Sequence, residues 1–232
     1  MIALEADGVT SGYGETVVVR NMNIHVDAGS VTCLLGRNGV GKTTLLKTIM
    51  GVVPRRSGIT RLFGQDISTK RPYEIAARQV AYAPQESAVF ADLSVKDNLT
   101  LGLKASEAQA RNVLDEAFAA FPILEQRLSQ KAGTLSGGEK KMLVFARALV
   151  RHPRVMIIDE ISEGLQPSIV YLITELITRL KQNGVGIFLA EQNLAFAMAV
   201  GDSYVVMHRG TMVETGAIEG VAVARLEKHL SI

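Results

Sequence analysis

The chain has 232 residues, 47% of them hydrophobic, with 25 basic and 23 acidic residues and a formal net charge of +2. This composition excludes a disordered or fibrous chain and supplies enough apolar side chains for one large folded domain. So balanced a charge provides no overall field to attract nucleic acid, and we predict no nucleic-acid partner.

The N-terminus and the single cysteine indicate the cellular compartment. Met1 to Asp7 lack the basic start and long apolar segment of a secretory signal, and no eighteen apolar residues run together. Cys33 stands in an apolar run, where we predict a small buried side chain without a disulfide. We therefore expect a soluble, cytosolic chain, whose mean hydropathy of +0.20 favours an apolar face that docks a partner.

A phosphate-binding loop is the strongest signal in the N-terminal third. Alternating apolar residues over 22–26 predict a half-buried antiparallel strand, and the apolar run 31–35 predicts a buried strand before the loop. A glycine, four free positions and Gly-Lys-Thr follow, and a helical pattern comes next. The predicted nucleotide contacts are Gly36, Arg37, Asn38, Gly39, Val40, Gly41, Lys42, Thr43 and Thr44.

The residue types of that loop determine its chemistry. Glycines let backbone N–H groups turn inward around the α- and β-phosphates, and the next helix directs its positive end at them. Lys42 can reach the β- and γ-phosphate oxygens, and the Thr43 hydroxyl is suited to bind Mg²⁺. A glycine-rich turn without a ligand is the plain structural alternative.

The middle third is predicted to be helical. Ser106 and Gln109 have the spacing of a capping box, and one apolar face continues to Pro122. The segment Leu135-Ser136-Gly137-Gly138-Glu139 then precedes another helical pattern. It is compatible with a serine cap that uses Glu139, and with a helix end that presents a hydroxyl and glycine N–H groups to an anion.

Two carboxylates follow the next strand. The apolar run 155–158 predicts a central parallel strand, which delivers Asp159 and Glu160 to the sheet edge where ligands bind. Asp159 is predicted to hold Mg²⁺ through water, and Glu160 to polarise the attacking water. Because side chains alternate along a strand, we expect the two carboxylates to point to opposite faces and to take separate roles.

The C-terminal third continues this alternation of helix and strand. Pro167 opens a predicted helix that closes at Asn183-Gly184, and a strand is predicted over 185–190. The runs 204–207 and 211–214 flank a turn as a predicted hairpin.

The order of these motifs resembles the ATP-binding-cassette family, whose signature reads Leu-Ser-Gly-Gly-Gln or Leu-Ser-Gly-Gly-Glu. By that resemblance, which covers almost the whole chain, Tyr13 stacks on adenine, and Gln85 touches Mg²⁺ and the attacking water. It also implies that residues 86–93, beginning at Glu86, respond to the nucleotide, and that Val89 and Phe90 dock a helix of a membrane subunit.

The resemblance implies an α/β fold with a P-loop NTPase (RecA-like) core, an N-terminal antiparallel β subdomain and an inserted α-helical subdomain. One ATPase domain is expected over 1–232, with the β layer and the ATP-binding core at 1–85 and 155–232 and the helical signature subdomain at 86–154. ATP and Mg²⁺ are the expected ligands.

The resemblance also implies partners. Two ATPase chains sandwich ATP, so Ser136, Gly137, Gly138 and Glu139 are expected to complete the γ-phosphate site of a second, identical or different, ATPase subunit. Two membrane permease subunits and an extracytoplasmic solute-binding protein are the other implied partners. The expected location is cytoplasmic, peripheral on the inner face of the cell membrane.

Several positions depart from the common family pattern. Gln192 stands at the switch position, where most members have histidine; its amide can donate to the γ-phosphate but cannot carry a proton. Ile161 and Gln166 replace a usual proline and aspartate in the loop after the strand-end carboxylates. Lys140 and Lys141 stand where relatives often carry glutamines, and we expect them on a solvated helix face.

These departures look like the ATPases of branched-chain amino-acid importers and their urea and short-amide relatives. The similarity lies in Glu191-Gln192-Asn193 and in the loop 163–167. We predict an ATPase that powers uptake of branched-chain, hydrophobic amino acids, with Glu160, Gln192 and Gln85 as its catalytic groups. A urea or short-chain amide importer is the alternative.

Three other classes explain less of the sequence. A GTPase or small-molecule kinase has no use for the segment 135–139, and the guanine-reading Asn-Lys-x-Asp motif is absent from the sequence. A soluble cassette ATPase of DNA repair or translation usually carries two cassettes or a long coiled-coil insertion. A nucleotide-binding regulator without turnover has no need of Glu160.

Overall fold

The computed structural model describes residues 1–85, 89–101, 103 and 107–230. Ser106, predicted to cap a helix, and Glu86, at the start of the predicted docking segment, lie outside these residues. Within the described ranges, no helix combines the length and the apolar character needed to cross a membrane.

Two sheets form the framework. An antiparallel sheet has the strand order β2 (Thr16–Asp27), β1 (Ile2–Tyr13), β4 (Arg55–Leu62) and β5 (Gln65–Asp66). A six-stranded sheet has the order β10 (Thr211–Ala217), β9 (Ser203–His208), β3 (Val31–Leu35), β8 (Gly186–Glu191), β7 (Val155–Asp159) and β6 (Val80–Ala83). Its neighbouring strands run parallel except in the hairpin of β9 and β10. The predicted strands and the hairpin are confirmed, although β2 begins earlier than the alternating run.

Helices cover the six-stranded sheet and connect its strands. In chain order they are α1 (Lys42–Ile49), α2 (Pro72–Ala76), α3 (Val95–Thr100), α4 (Glu107–Ala120), α5 (Pro122–Gln126), α6 (Gly137–Leu149), α7 (Pro167–Gln182), α8 (Leu194–Val200) and α9 (Val223–Leu230). The predicted helices that stop before Pro122 and start at Pro167 are confirmed. The α/β class with an antiparallel β layer is likewise confirmed.

Strand alternation divides the apolar core into two layers. Met156 and Ile158 of β7 pack on the side of α3 to α8, whereas Val155 and Ile157 face the antiparallel sheet and α1. All four side chains are fully buried, which explains why this strand is apolar throughout.

The helices between β6 and β7 share a core with the sheet. Phe121 and Phe145 contact each other edge to face, with ring centroids 6.1 Å apart, and they belong to the same buried cluster as Ile158. The separate helical subdomain over 86–154 stays a prediction.

The parallel strands bring four chain segments to one edge of the sheet. Leu35 leads into the glycine-rich loop, Ala83 precedes Pro84 and Gln85, Asp159 ends β7, and Glu191 ends β8. Ligands bind at this carboxyl edge in open α/β sheets, so the functional site is expected here.

Candidate functional site

Glycines shape the loop between β3 and α1. Gly41 caps α1 with a left-handed φ of +114°, and a Cβ there would lie 3.0 Å from Met207 Cε. A Cβ at Gly36 would lie 2.7 Å from the carbonyl oxygen of Met207. Within the described residues no side chain caps α1, so its first N–H groups are available to an anion.

Lys42 is buried at the start of α1. Its ammonium donates to the carbonyl oxygens of Gly36 at 2.6 Å and Arg37 at 3.0 Å, and it lies 2.8 Å from Glu160 Oε1. The Lys42 and Glu160 side chains are only 3% and 7% exposed. The loop cation and the strand-end carboxylate therefore form a buried ion pair.

Glu160 lies just beyond the end of β7. Its φ is +47°, and its N–H donates to the carbonyl oxygen of Ala190 at 2.9 Å. A non-glycine residue in this left-handed region costs about 1 to 3 kcal/mol, which the surrounding contacts must offset. Because Glu160 is not in extended backbone, the prediction that it points away from Asp159 is wrong: both carboxylates face the loop.

Asp159 is fully buried between two hydroxyl groups. Its Oδ1 accepts from Thr43 Oγ1 at 3.2 Å, and its Oδ2 accepts from the Tyr82 hydroxyl at 3.1 Å. Burial raises the pKa of Asp159, and the two hydrogen bonds act in the opposite direction. Burial also raises the pKa of Tyr82, which therefore stays a donor.

Gln85 bridges two carboxylates. Its Nε2 donates to Glu160 Oε2 at 2.7 Å and to Glu163 Oε2 at 2.9 Å. Each oxygen of the Glu160 carboxylate thus has its own partner, one on Lys42 and one on Gln85. This arrangement fixes the orientation of Glu160.

Two adjoining cavities lie at this edge. The first, of about 330 Å³, is lined by Val18, Asn38, Gly39, Gly41, Lys42, Thr43, Thr44, Gln85 and Glu160. The second, of about 580 Å³, shares Asn38 and Glu160 and is also lined by Ser162, Glu163, Gly164, Leu165, Glu191, Gln192 and Asn193. The structure therefore brings most predicted loop residues together with Gln85, Glu160 and Gln192.

Other predicted residues lie elsewhere. Tyr13, at the end of β1, is 51% exposed and lines neither cavity. Neither cavity is lined by the segment at the start of α6, which consists of Ser136, Gly137, Gly138 and Glu139. Gly36, Arg37 and Val40 of the loop do not line the cavities either, and the nucleotide contacts of all the predicted residues stay predictions.

The predicted capping box at the start of α6 is confirmed. Ser136 Oγ accepts from the N–H of Glu139 at 3.3 Å, and Glu139 Oε2 accepts from the N–H of Ser136 at 2.8 Å. That backbone hydrogen bond lowers the pKa of Glu139, and Arg127, 3.0 Å from Oε1, acts in the same direction. The Glu139 carboxylate is thus engaged within its own chain.

Three residues at the site make contacts that the sequence does not predict. Tyr82 holds Asp159, and its signal is a phenol near the end of an apolar strand that precedes Pro84-Gln85. Glu191 is buried and accepts from the N–H and the Oγ of Ser162, both at 3.0 Å; burial raises the pKa of Glu191. Lys141, predicted on a solvated face, is half-buried against the loop after Glu160, and burial lowers the pKa of its ammonium.

The site suits a magnesium–nucleotide complex on two counts. The uncapped helix start and buried Lys42 suit phosphate oxygens, and the Thr43–Asp159 pair supplies hard oxygen ligands. Among the described residues, no group of three or more His, Cys, Asp or Glu could hold a metal ion. Phosphate oxygens and water would therefore have to complete the shell of an ion held by Thr43 and Asp159.

A phosphate loop that leads from a parallel strand into a helix, opposite an acidic strand end, is how P-loop nucleoside triphosphatases hold their substrate. The fold and the site define a protein of that class. Residues 19–163, more than half of the chain, match the family described as ABC transporter. The chain belongs to this family and is an ATP-binding subunit that hydrolyses ATP.

Relatives and a solved structure agree with this assignment. The chain is 36% identical over 217 residues to the high-affinity branched-chain amino acid transport ATP-binding protein BraG of Pseudomonas aeruginosa, covering 92% of this chain and 93% of BraG. It is 34% identical over 210 residues to the probable branched-chain amino acid transport ATP-binding protein LivF of Archaeoglobus fulgidus, covering 90% and 89%. It is 32% identical over 220 residues to the lipopolysaccharide export system ATP-binding protein LptB of Escherichia coli, covering 93% and 91%. A solved ATP-binding subunit of an ABC transporter superposes with a TM-score of 0.87 at 29% identity, over 98% of this chain and 99% of that one. The resemblance seen in the motifs is confirmed for family, fold and ATPase activity.

Proposed function

We propose that the chain powers an importer of branched-chain amino acids, with the carboxyl edge of the six-stranded sheet as its ATPase site. The observation that carries the site assignment is the ion pair of Lys42 with Glu160, whose other oxygen accepts from Gln85. It supports a single centre made of phosphate loop, base and water-orienting amide. The names of BraG and LivF support the cargo.

The proposed chemistry assigns one task to each group. The N–H groups from Gly36 to Thr44 and the ammonium of Lys42 bind the phosphates. Thr43 and Asp159 hold Mg²⁺, which neutralises charge on the phosphate oxygens when it is bound. Glu160 accepts the proton of the attacking water, Gln85 orients that water, and Gln192 donates to the γ-phosphate.

The start of α6 is proposed to serve a second ATPase subunit. Ser136, Gly137 and Gly138 lie outside both cavities around Lys42 and Glu160, which fits a contribution to the site of another chain. Removing the base while keeping the binding groups, as in Glu160→Gln, should trap an ATP-bound dimer visible by light scattering. An unchanged mass with saturating ATP would mean that the chain pairs with a different ATPase subunit.

Phe90 and Arg147 support a docking surface for a permease helix. Phe90 is 50% exposed, whereas Val89 is half-buried against the core. The Arg147 guanidinium lies 5.6 Å from the centroid of the Phe90 ring, and a groove of about 170 Å³ beside them is also lined by Leu101 and Arg151. An apolar permease helix that carries an acidic side chain would match this surface. The remaining partners are a second permease subunit and an extracytoplasmic solute-binding protein, and the chain would lie on the cytoplasmic face of the membrane.

Uptake of labelled leucine and labelled urea tests the cargo. Source cells carrying Glu160→Gln in place of the native chain should lose leucine uptake and keep urea uptake. The matched control is Glu175→Gln, which should change neither leucine nor urea uptake. Glu175 is an exposed residue of α7 whose carboxylate accepts a hydrogen bond from Tyr171. Loss of urea uptake alone would assign the urea and short-amide alternative. Normal uptake of both, with a purified variant that has lost ATPase activity, would reject the cargo and keep the site.

A further inference from the structure

Lys141 connects the helix that begins at Ser136 to the loop that carries Glu160. Its ammonium donates to the backbone oxygens of Glu160 and Ile161, each at 3.3 Å, and to the backbone oxygen of Glu163. The ammonium can therefore donate one hydrogen to each of three carbonyl groups in the loop that follows β7. The neighbouring Lys140 makes no side-chain hydrogen bond or ion pair in the part of the chain that the structure describes.

The loop that Lys141 holds is the one whose geometry the site depends on. Glu160 has a left-handed backbone; its N–H still donates to Ala190 of the neighbouring strand β8, whereas its carbonyl group needs a partner elsewhere. Lys141 supplies a donor to the Glu160 carbonyl, and Ala190 supplies an acceptor to the Glu160 N–H. The same ammonium binds the carbonyl of Glu163, whose carboxylate shares Gln85 with Glu160.

Packing at the start of α6 supports the same connection. A Cβ added at Gly138 would lie 3.2 Å from Ile169 Cδ1 and 3.6 Å from Leu165 Cδ2, so this end of α6 lies against the same loop and against the first turn of α7 that follows it. Lys141 follows Gly138 by one helical turn and lies on the same side of the helix. The loop and the helix therefore contact each other through backbone and side chain together.

We propose that Lys141 is a positioning residue that holds Glu160 in its working orientation and ties that orientation to the helix that begins at Ser136. The inference rests on the proposed role of Glu160 as the base. It has a consequence for the assembly, because Ser136 is proposed to serve the partner's nucleotide while Glu160 serves its own. Lys141 then links the two nucleotide sites within one chain.

Steady-state ATPase kinetics of the purified full chain test this proposal. Lys141→Met keeps the length of the side chain and removes the donor; we expect kcat to fall about tenfold while KM for ATP changes less than about twofold. Lys141→Arg retains a cation with several donors and should keep kcat within about threefold of wild type. Lys140→Met is the matched control and should leave both constants unchanged.

A double variant separates positioning from general damage. If Lys141 acts through Glu160, adding Lys141→Met to Glu160→Gln should leave the residual rate within about twofold, because there is no base left to position. A further tenfold loss in that background, or a wild-type kcat for Lys141→Met alone, would overturn the proposal. If Lys141→Met does not fold, Lys141→Gln, whose shorter amide reaches fewer carbonyls, takes its place, with an expected loss of about threefold in kcat and none in the Glu160→Gln background.

Different kinetic results would contradict the role of Lys141 and the role of Glu160. Wild-type turnover in Glu160→Gln would remove Glu160 as the base and the role of Lys141 with it. An inactive Glu160→Gln together with a fully active Lys141→Met would reject the positioning role and leave the site as proposed.

Discussion

Replacing Lys42 with methionine tests the buried ion pair at the centre of the site. Removing one partner of such a pair costs about 3 to 5 kcal/mol, because the other charge is left buried without a counter-charge. The carbonyl groups of Gly36 and Arg37 also lose a donor. The cavity of about 330 Å³ beside Glu160 can admit water to the carboxylate, which reduces the cost. We therefore expect Lys42→Met to lower the free energy of unfolding by about 3 kcal/mol.

Equilibrium unfolding in urea without nucleotide measures this loss independently of ATP chemistry. With a slope of about 3 kcal/mol per molar urea, the midpoint should fall by about 1 M. The double variant Lys42→Met with Glu160→Gln removes the stranded charge, and it should recover about 2 kcal/mol relative to Lys42→Met alone. Lys140→Met controls for the loss of a cation from a helix.

Two results would refute the reasoning. A midpoint for Lys42→Met within about 0.2 M of wild type would show that the buried carboxylate is hydrated without cost. A double variant no more stable than Lys42→Met would show that the stranded charge is not the source of the loss.

Three further predictions concern individual side chains. Gln192→Ala should slow ATP hydrolysis about ten- to hundred-fold, because a hydrogen bond to a charged group contributes about 1.5 to 3 kcal/mol; a rate within about threefold of wild type would make Gln192 a spectator. Tyr82→Phe removes the hydroxyl that donates to Asp159, so the Mg²⁺ concentration for half-maximal ATPase activity should rise about tenfold, and an unchanged Mg²⁺ titration would contradict this role. The hydrogen bond from Tyr204 holds the pKa of Glu214 below its usual value of 4.5, so the stability that Glu214 contributes is present above pH 4.5 and is lost as pH falls through the folded-state pKa. Glu214→Gln should accordingly lower Tm at pH 7 but match wild type in stronger acid, and a Tm difference that does not change with pH would argue against this origin.

The sequence predicts the parts of the site that depend on residues close together in the chain. The glycine spacing before Lys42 and the position of Asp159 at the end of an apolar strand are local features, and both lie at the predicted sheet edge. The left-handed backbone of Glu160 has no local signal, because the residue type neither requires nor favours it.

Contacts between segments that are far apart in the chain also have no local signal, so the sequence does not predict them. Tyr82 meets Asp159 because β6 pairs with β7, and Glu191 meets Ser162 because β7 pairs with β8. The apolar runs of the sequence predict β7 and β8, but they predict neither β6 nor the order of the strands in the sheet. The sequence predicts Lys141 on a solvated face, because its partners are backbone carbonyl groups and every residue type has one.

The two ends of α6 have different neighbours. Ser136 caps its start, and Arg147 lies in its last turn beside Phe90. Thirteen residues give this helix a length of about 20 Å, and buried side chains such as Phe145 fasten its middle to the sheet. On the proposed roles, one end faces a partner's nucleotide and the other faces the permease. The helix would then move as one rigid element that is held at its middle. A displacement of its start, beside the nucleotide, would reach its last turn, beside the permease, without any change in secondary structure.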